Sequence, residues 1–115
     1  MNIIKASEWN DIPEDYTGIV KWEDGSVSHR KNGRRHREDG PSFVEPGGYK
    51  AWWLDGNHIW DLDPDSDGKL DLTNQIILSK NQHPEYPTVQ VWKILDKDEV
   101  YERIIIPGME ELITE

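Results

Sequence analysis

The chain has 115 residues, of which 13 are Lys or Arg and 23 are Asp or Glu, so its formal net charge is −10. This acidity argues against nucleic-acid binding as the main function and against docking on an anionic membrane, since both need clustered positive charge. Cysteine is absent, which excludes disulfides, thiolate catalysis and cysteine-ligated zinc. The sequence has no apolar run near the ~20 residues of a transmembrane helix and no secretory signal at its start. We therefore expect an intracellular protein whose residues 1–115 form a single domain.

Residues 17–62 form a series of short strand-like segments separated by turn signals. A repeat of 23 residues relates Gly25 to Gly48 and Gly33 to Gly56, and each unit has the order strand, tight turn, strand, tight turn. Two-residue hairpin turns need positive φ, which glycine, asparagine and aspartate tolerate. The dipeptides at these points are Asp24-Gly25, Asn32-Gly33, Asp39-Gly40, Gly47-Gly48 and Asp55-Gly56. We predict an antiparallel β-meander built from short hairpin repeats.

Residues 63–115 begin with an acidic loop and continue with strands that we expect to cap the meander and complete its core. The segments Thr88–Leu95 and Glu99–Ile106 predict a C-terminal β-hairpin around a polar turn. Leu72–Lys80 fits either a helix or a strand, and Met109–Glu115 fits either a short terminal helix or a frayed tail. The predicted fold class is mainly β, with the antiparallel meander completed by this hairpin and at most one short helix.

The phrase Asn32–Pro41, which reads NGRRHREDGP, resembles the repeats of a group of bacterial and phage proteins, the MORN-repeat-variant group. Ile12–Gly18 is similar to the segment that leads into such repeats, and Trp52–Gly56 is similar to a second copy. The second copy lacks the His-Arg-Glu-Asp phrase, so the array has about one and a half units and needs the rest of the chain as a cap. The resemblance implies a β-meander used for interaction, an antitoxin in some members, and a place in the cytoplasm of a bacterial host. It implies no catalytic residue.

A basic stretch, His29–Arg37, interrupts the acidic chain. It contains five Lys or Arg residues and no acidic residue. Such a patch suits a phosphate, an RNA strand or an acidic partner. The candidate partner-binding residues in it are Arg30, Arg34 and Arg35. The alternative is a structural turn in which Arg37 pairs with Glu38, with Asp39 or with acidic residues of a neighbouring strand.

From Asp63 to Asn74 the sequence follows the pattern of a calcium-binding loop through its central glycine. Alternating acidic side chains supply oxygen ligands in such loops, and a backbone carbonyl supplies another. The candidate ligands are Asp63, Asp65, Asp67, the carbonyl of Lys69, and Asp71. Asn74 stands where a bidentate glutamate is usual, which weakens the expected site. The alternative is an acidic surface turn, and the sequence indicates no cofactor other than calcium.

Aromatic residues concentrate in the repeats. The set is Trp22, Tyr49, Trp52, Trp53 and Trp60. Consecutive strand residues point to opposite faces, so Trp52 and Trp53 cannot share one core, and an exposed tryptophan is a good interface anchor. The candidate contacts outside the basic stretch are Trp53, Trp60, Asp61 and Asp65. No spacing typical of a nucleophilic active site occurs, so we predict that the chain is not an enzyme.

These features favour a small acidic protein-binding module that acts as an inhibitor or antitoxin. An acidic surface speeds encounter with a basic protein partner, and enzymes that act on nucleic acids have basic grooves. One form of this hypothesis is a phage-encoded inhibitor of a host CRISPR or restriction enzyme. The alternatives are a calcium-binding structural or adhesion module at Asp63–Asn74 and a weak RNA binder at Arg30–Arg37. The sequence specifies neither the partner nor the oligomeric state.

Overall fold

The computed structural model describes residues 2–65 and 68–115. The chain divides into two compact units, one of residues 1–37 and 41–67, the other of residues 38–40 and 68–115. Both units consist of strands, turns and single 3₁₀ turns, so the predicted mainly β class is confirmed. Within the described ranges, no helix has the length and apolar character that crossing a membrane requires.

The first unit is built on one sheet of seven described strands. They are β1 (Ile3–Ala6), β2 (Gly18–Trp22), β3 (Val27–Lys31), β4 (Arg34–Arg35), β5 (Phe43–Val44), β6 (Lys50–Leu54) and β7 (Asn57–Leu62). Their order is β1-β2-β3-β5-β6-β7, with β4 also paired to β3. All pairs are antiparallel except β1 with β2, which is parallel. The meander expected for residues 17–62 is therefore confirmed, and the sheet gains a parallel edge strand.

The 23-residue repeat of the sequence is also a repeat of the backbone. Strands β3 and β6 have bounds that differ by this spacing. The backbone φ is 93° at Gly25 and 105° at Gly48. At the next turn of each unit, φ is 77° at Gly33 and 81° at Gly56. The turns at Gly33 and Gly56 have two residues, as predicted, because Lys31 pairs with Arg34 and Leu54 pairs with Asn57. The turns at Gly25 and Gly48 are longer than the predicted two residues, since Trp22 N donates to Ser26 O and Glu45 N donates to Tyr49 O across them. In both kinds of turn the glycine supplies the left-handed conformation.

The predicted tight turn at Asp39-Gly40 is wrong. Strands β4 and β5 lie on either side of it but do not pair with each other, since both run along the same edge of β3. The glycine does not adopt a positive φ. The backbone of β4 bonds instead to the turn at Gly56, because Gly56 N donates to Arg35 O at 2.9 Å. The chain therefore leaves β4 in a wide loop.

Burial in the first unit varies from residue to residue along its strands. Ala6 of β1, Val20 of β2 and Tyr16 form a small apolar core. On β6, Trp52 is 2% exposed, whereas Trp53 is half-buried. The two neighbouring tryptophans therefore differ in burial. This difference is not a regular alternation, because Ala51 is also 2% exposed and the register with β7 shifts between Trp52 and Trp53.

The second unit contains a three-stranded antiparallel sheet and a two-stranded parallel sheet. Its strands are β8 (Leu70–Asp71), β9 (Ile76–Gln82), β10 (Gln90–Asp96), β11 (Glu99–Ile105) and β12 (Ile113–Thr114). Strand β10 lies between β9 and β11, and β12 pairs with β8. The C-terminal hairpin is thus confirmed as β10–β11. The ambiguous segment Leu72–Lys80 contains the start of β9 and no helix.

The last residues differ from both expected alternatives, a short helix and a frayed tail. Glu110–Leu112 form one 3₁₀ turn, which continues into β12. Leu72 N donates to Thr114 O at 2.7 Å, and Lys80 Nζ forms an ion pair with Glu115 Oε1 at 2.7 Å. Backbone pairing and this ion pair therefore hold the tail in place.

Candidate partner-binding site

A 3₁₀ turn after β1 presents one tryptophan to solvent. The turn is Trp9–Asp11, and Trp9 is 60% exposed. The Asp11 carboxylate accepts hydrogen bonds from Ser7 N at 2.9 Å, Ser7 Oγ at 3.1 Å and Glu8 N at 3.0 Å. These bonds fix the backbone that carries Trp9, so the exposed ring has a defined position.

The same hydrogen bonds make the Trp9 turn sensitive to acid. Hydrogen bonds from Ser7 N first, then from Glu8 N and Ser7 Oγ, lower the pKa of Asp11 below its ordinary value of 3.8. Their stabilisation is fully present above pH 3.8 and is lost as the pH falls through the lowered pKa. We expect Asp11→Ala to reduce the free energy of unfolding at neutral pH, and this difference to shrink in acid. Urea titrations of both proteins down to about pH 2.5 measure it, and a constant difference over that range would contradict the role of the carboxylate.

Two arginines of the first repeat lie beside Trp9. Arg30 of β3 and Arg35 of β4 are directly opposite each other in the antiparallel register. Their guanidinium carbons lie 4.8 and 5.6 Å from the centroid of the Trp9 ring. A guanidinium within about 6 Å of an indole centroid gains a cation–π attraction. Trp9 therefore packs on both arginines.

The ring contacts continue on both sides of this pair. The guanidinium carbon of Arg35 is 5.0 Å from the centroid of Trp53, which meets His58 edge to face at 5.1 Å. Trp9 meets Trp22 edge to face at 5.5 Å. We name four of these residues the tryptophan–arginine cluster: Trp9, Arg30, Arg35 and Trp53. It combines two of the residue types most enriched among interface hot spots.

The two cations of the cluster lack an acidic partner among the residues that the structure describes. In the described part of the chain, neither Arg30 nor Arg35 forms an ion pair with a carboxylate. Burial, followed by the positive charge of Arg35, lowers the pKa of Arg30. Like charges directly opposite on a sheet repel. The cluster therefore holds two guanidinium groups together at an electrostatic cost that the indole rings offset in part.

A small pocket of about 190 Å³ opens beside the cluster. Its lining comprises Trp9, Trp22, Asp24, Ser28, Arg30, Arg35 and Phe43. The Trp22 indole N–H already donates to Ser28 Oγ at 3.2 Å, and the Asp24 carboxylate accepts from Ser26 N at 2.8 Å. Sites for drug-sized ligands start at about 300 Å³. This pocket therefore suits a single side chain or a small ion.

The structure brings together three of the residues predicted to bind a partner, namely Arg30, Arg35 and Trp53. Arg34 is not part of the cluster. It is exposed at the neighbouring position of β4, and consecutive strand residues point to opposite faces. Its side chain lies beside Gly56. Arg34 is thus a basic residue of the same strand that does not contribute to the stacked group.

The remaining predicted contacts lie on β7 and just after it. Trp60 is half-buried and pairs with Trp52 between β7 and β6. Asp61 is exposed and accepts a hydrogen bond from Tyr49 OH at 3.1 Å. Burial and then this bond raise the pKa of Tyr49. Asp65 is exposed as well. None of these three predicted contacts joins the cluster in the described ranges.

The calcium loop is described only in part, because Asp67 lies outside the described residues. The other candidate ligands, all exposed, are Asp63, Asp65, Lys69 and Asp71. Asp63 Oδ1 accepts from Asp65 N at 3.0 Å, and Asp71 Oδ1 accepts from Thr73 N at 3.0 Å, as in ordinary turns. Among the residues that the structure describes, no three acidic or histidine side chains are arranged to hold a metal ion. The calcium site stays a prediction, since it depends on Asp67.

The histidine of the repeat phrase has a structural role. His36 is buried, and its Nδ1 accepts a hydrogen bond from Asp55 N at 2.9 Å. Arg37 Nη1 donates to Pro41 O at 3.2 Å. These two residues of the basic stretch therefore stabilise the loop after β4 and the turn of the second repeat.

Sequence reasoning missed Trp9, the most exposed member of the cluster. Trp9 lies outside the repeats, in a segment whose sequence pattern does not predict a strand. Glu8 and Asp11 form a capping box around this turn in the structure, but glutamate is not among the residue types that mark a helix start in a sequence. The sequence therefore contains no signal that would have singled out this indole.

No protein-family model matches the chain, and no curated protein or solved structure matches it at a significant level. The likeness to the repeat group therefore rests on the phrases in the sequence. Function has to follow from the cluster and from the charge of the chain.

Proposed function

We propose that the chain is a small acidic protein-binding module that acts as an inhibitor or antitoxin, with the tryptophan–arginine cluster as its anchor on the partner. The observation that carries this proposal is the exposed Trp9 ring stacked on two arginines that have no acidic partner among the described residues. Tryptophan and arginine dominate binding energy in protein interfaces. A preorganised group of this kind binds with a small entropic cost.

The charge of the chain favours a partner with a basic surface. The formal net charge is −10, and the cationic side chains concentrate in residues 29–37. Opposite charges speed association, and the effect weakens as salt screens it. Enzymes that act on nucleic acids present basic grooves. We therefore propose such an enzyme as the target, for instance a CRISPR or restriction enzyme inhibited in the bacterial cytoplasm.

Affinity capture with matched variants tests this function. The wild-type chain, Trp9→Ala and Arg34→Gln are immobilised and exposed to nuclease-treated bacterial lysate at about 50 mM and about 300 mM salt. We expect one stoichiometric partner that the wild type and Arg34→Gln retain equally. Its affinity for Trp9→Ala should be lower by about tenfold or more, and its affinity for the wild type should fall as salt rises. The nucleic-acid cleavage of the purified partner should decrease when the chain is added.

The controls distinguish the loss of a contact with the partner from the loss of the fold. Trp9 is mostly exposed, so circular dichroism of Trp9→Ala should match that of the wild type. A partner that binds Trp9→Ala as tightly as the wild type would place the anchor elsewhere. Capture that occurs from untreated lysate and not from nuclease-treated lysate would contradict the inhibitor function, and so would a partner whose activity the chain does not change.

A further inference from the structure

The guanidinium groups of Arg30 and Arg35 contact indole rings and, in the described part of the chain, keep most of their hydrogen-bond donors unused. The guanidinium carbons lie 4.8 to 5.6 Å from indole centroids, and each guanidinium carries five N–H donors. One of these donors, Nη1 of Arg30, is bonded to Gly33 O at 3.3 Å. The contacts with the rings therefore leave most of the donors without a hydrogen-bond partner among the described residues.

Two features of the cluster are unfavourable without a ligand. The buried Nε of Arg30 donates to no acceptor among the described residues. In addition, Arg30 and Arg35 are directly opposite each other, and both are positively charged. Leaving a buried donor unpaired and placing like charges side by side both cost free energy. An anion placed between the two groups would offset the repulsion between them, whereas the buried Nε of Arg30 would gain an acceptor only through a shift of its side chain.

We infer that the tryptophan–arginine cluster is a binding site for one carboxylate of the partner protein, an inference that rests on the proposed function. A carboxylate accepts two parallel hydrogen bonds from the edge of a guanidinium. The adjoining pocket of about 190 Å³ has room for one acidic side chain. Asp24 also lines this pocket, and hydrogen bonds from Ser26 lower the pKa of its carboxyl group, so at neutral pH it is ionised and opposes a second carboxylate. The two arginines of the same lining outnumber it, so the charge of the lining still favours an anion.

The rest of the chain restricts which carboxylate can bind. With 23 acidic and 13 basic residues, the chain repels long anionic ligands such as RNA, whose affinity comes from many phosphate contacts. An acidic side chain surrounded by basic residues avoids this repulsion. We therefore assign the site to a Glu or Asp that stands alone within a basic surface.

Matched peptides test this assignment without the partner. The blocked peptide Lys-Lys-Glu-Lys-Lys and its glutamine counterpart Lys-Lys-Gln-Lys-Lys are titrated into the ¹⁵N-labelled full chain at constant ionic strength. The readouts are the indole N–H signal of Trp9 and the Nε–H signal of Arg30. We expect the glutamate peptide to bind about threefold to tenfold more tightly than the glutamine peptide. This preference should vanish in Arg35→Gln and persist in Arg34→Gln, which removes the same charge from the neighbouring residue.

The outcomes distinguish the inference from the proposed function. Equal affinity for the two peptides, or a preference that survives Arg35→Gln, would overturn the carboxylate site, even where partner capture still depends on Trp9. Tighter binding of an RNA oligonucleotide or of inorganic phosphate than of the glutamate peptide, lost in Arg35→Gln, would overturn it in favour of a phosphate site. A preserved glutamate preference would support the site even where capture yields no partner. Heteronuclear spectra of Arg35→Gln check that the variant is folded.

Discussion

Replacing Gly33 by alanine should destabilise the first unit by about 2–5 kcal/mol. Gly33 has a φ of 77°, a conformation that alanine adopts only with strain. A Cβ atom at this position would also overlap the carbonyl oxygen of Glu14. Since Gly33 N donates to Tyr16 O at 2.9 Å, the turn cannot move away from this segment without losing a hydrogen bond. We expect a lower urea midpoint for Gly33→Ala with little change in the slope of the transition.

Gly47→Ala is the matched control for this experiment. It makes the same chemical change in a turn of the other repeat, where no heavy atom lies within 4 Å of an added Cβ and where φ is not positive. We expect its stability to stay within about 0.5 kcal/mol of the wild type or to rise slightly. Equal effects of the two substitutions would mean that the close approach of Gly33 to Glu14 does not constrain the fold. The turn at Gly33 also joins the strands of Arg30 and Arg35, so Gly33→Ala should weaken partner binding.

The hairpins could be predicted from the sequence because their cause is local. The Asn32-Gly33 and Asp55-Gly56 dipeptides need no distant contact to adopt positive φ, and both do so in the structure. The segments between them have the length and alternation of short strands. The Asp39-Gly40 prediction was wrong for the opposite reason. There, hydrogen bonding of β4 to the turn at Gly56 overrides the local preference.

The sequence pattern could not predict the parallel strand pairs. Ile3 pairs with Ile19 in one unit, and Ile113 pairs with Leu70 in the other. Parallel strands need no tight turn between them, so no dipeptide marks the connection. Strands of two to four residues also carry too few side chains to reveal their period.

The candidate site could be predicted in part. Arg30, Arg35 and Trp53 were identified from the basic stretch and from the tryptophan pair, because charge and aromatic content are visible in the sequence. Their arrangement was not predictable, since it depends on the register that places Arg35 opposite Arg30. The contribution of Trp9 depends on the pairing of β1 with the sheet, and no nearby sequence pattern predicted that pairing.

The cluster and the net charge favour different properties in a partner, and a partner that has both properties belongs to a smaller class of proteins. An acidic chain of net charge −10 is attracted to a basic surface over a distance of about one Debye length. The two arginines act only on contact and favour a negative group. A partner that satisfies both has an isolated carboxylate within a positive surface. Under the proposed function, we expect long-range attraction to set the association rate and the contact with the arginines to set the lifetime of the complex.

The neighbouring tryptophans of β6 should separate stability from binding. Trp52 is 2% exposed, so Trp52→Ala should cost about 3–5 kcal/mol of unfolding free energy through the cavity it leaves. Trp53 is half-buried and stacks on Arg35 at 5.0 Å, so Trp53→Ala should cost only about 1–2 kcal/mol.

Urea titrations measure the stability of both tryptophan variants, and titration with the glutamate peptide measures binding at a temperature where both are folded. Trp53→Ala leaves Arg35 without one of its two rings and should weaken the peptide by about threefold or more, whereas folded Trp52→Ala should bind like the wild type. Larger destabilisation by Trp53→Ala than by Trp52→Ala would contradict the deeper burial of the Trp52 side chain. Unchanged peptide binding by Trp53→Ala would remove this ring from the anchor and leave Trp9 as the indole on which the arginines depend.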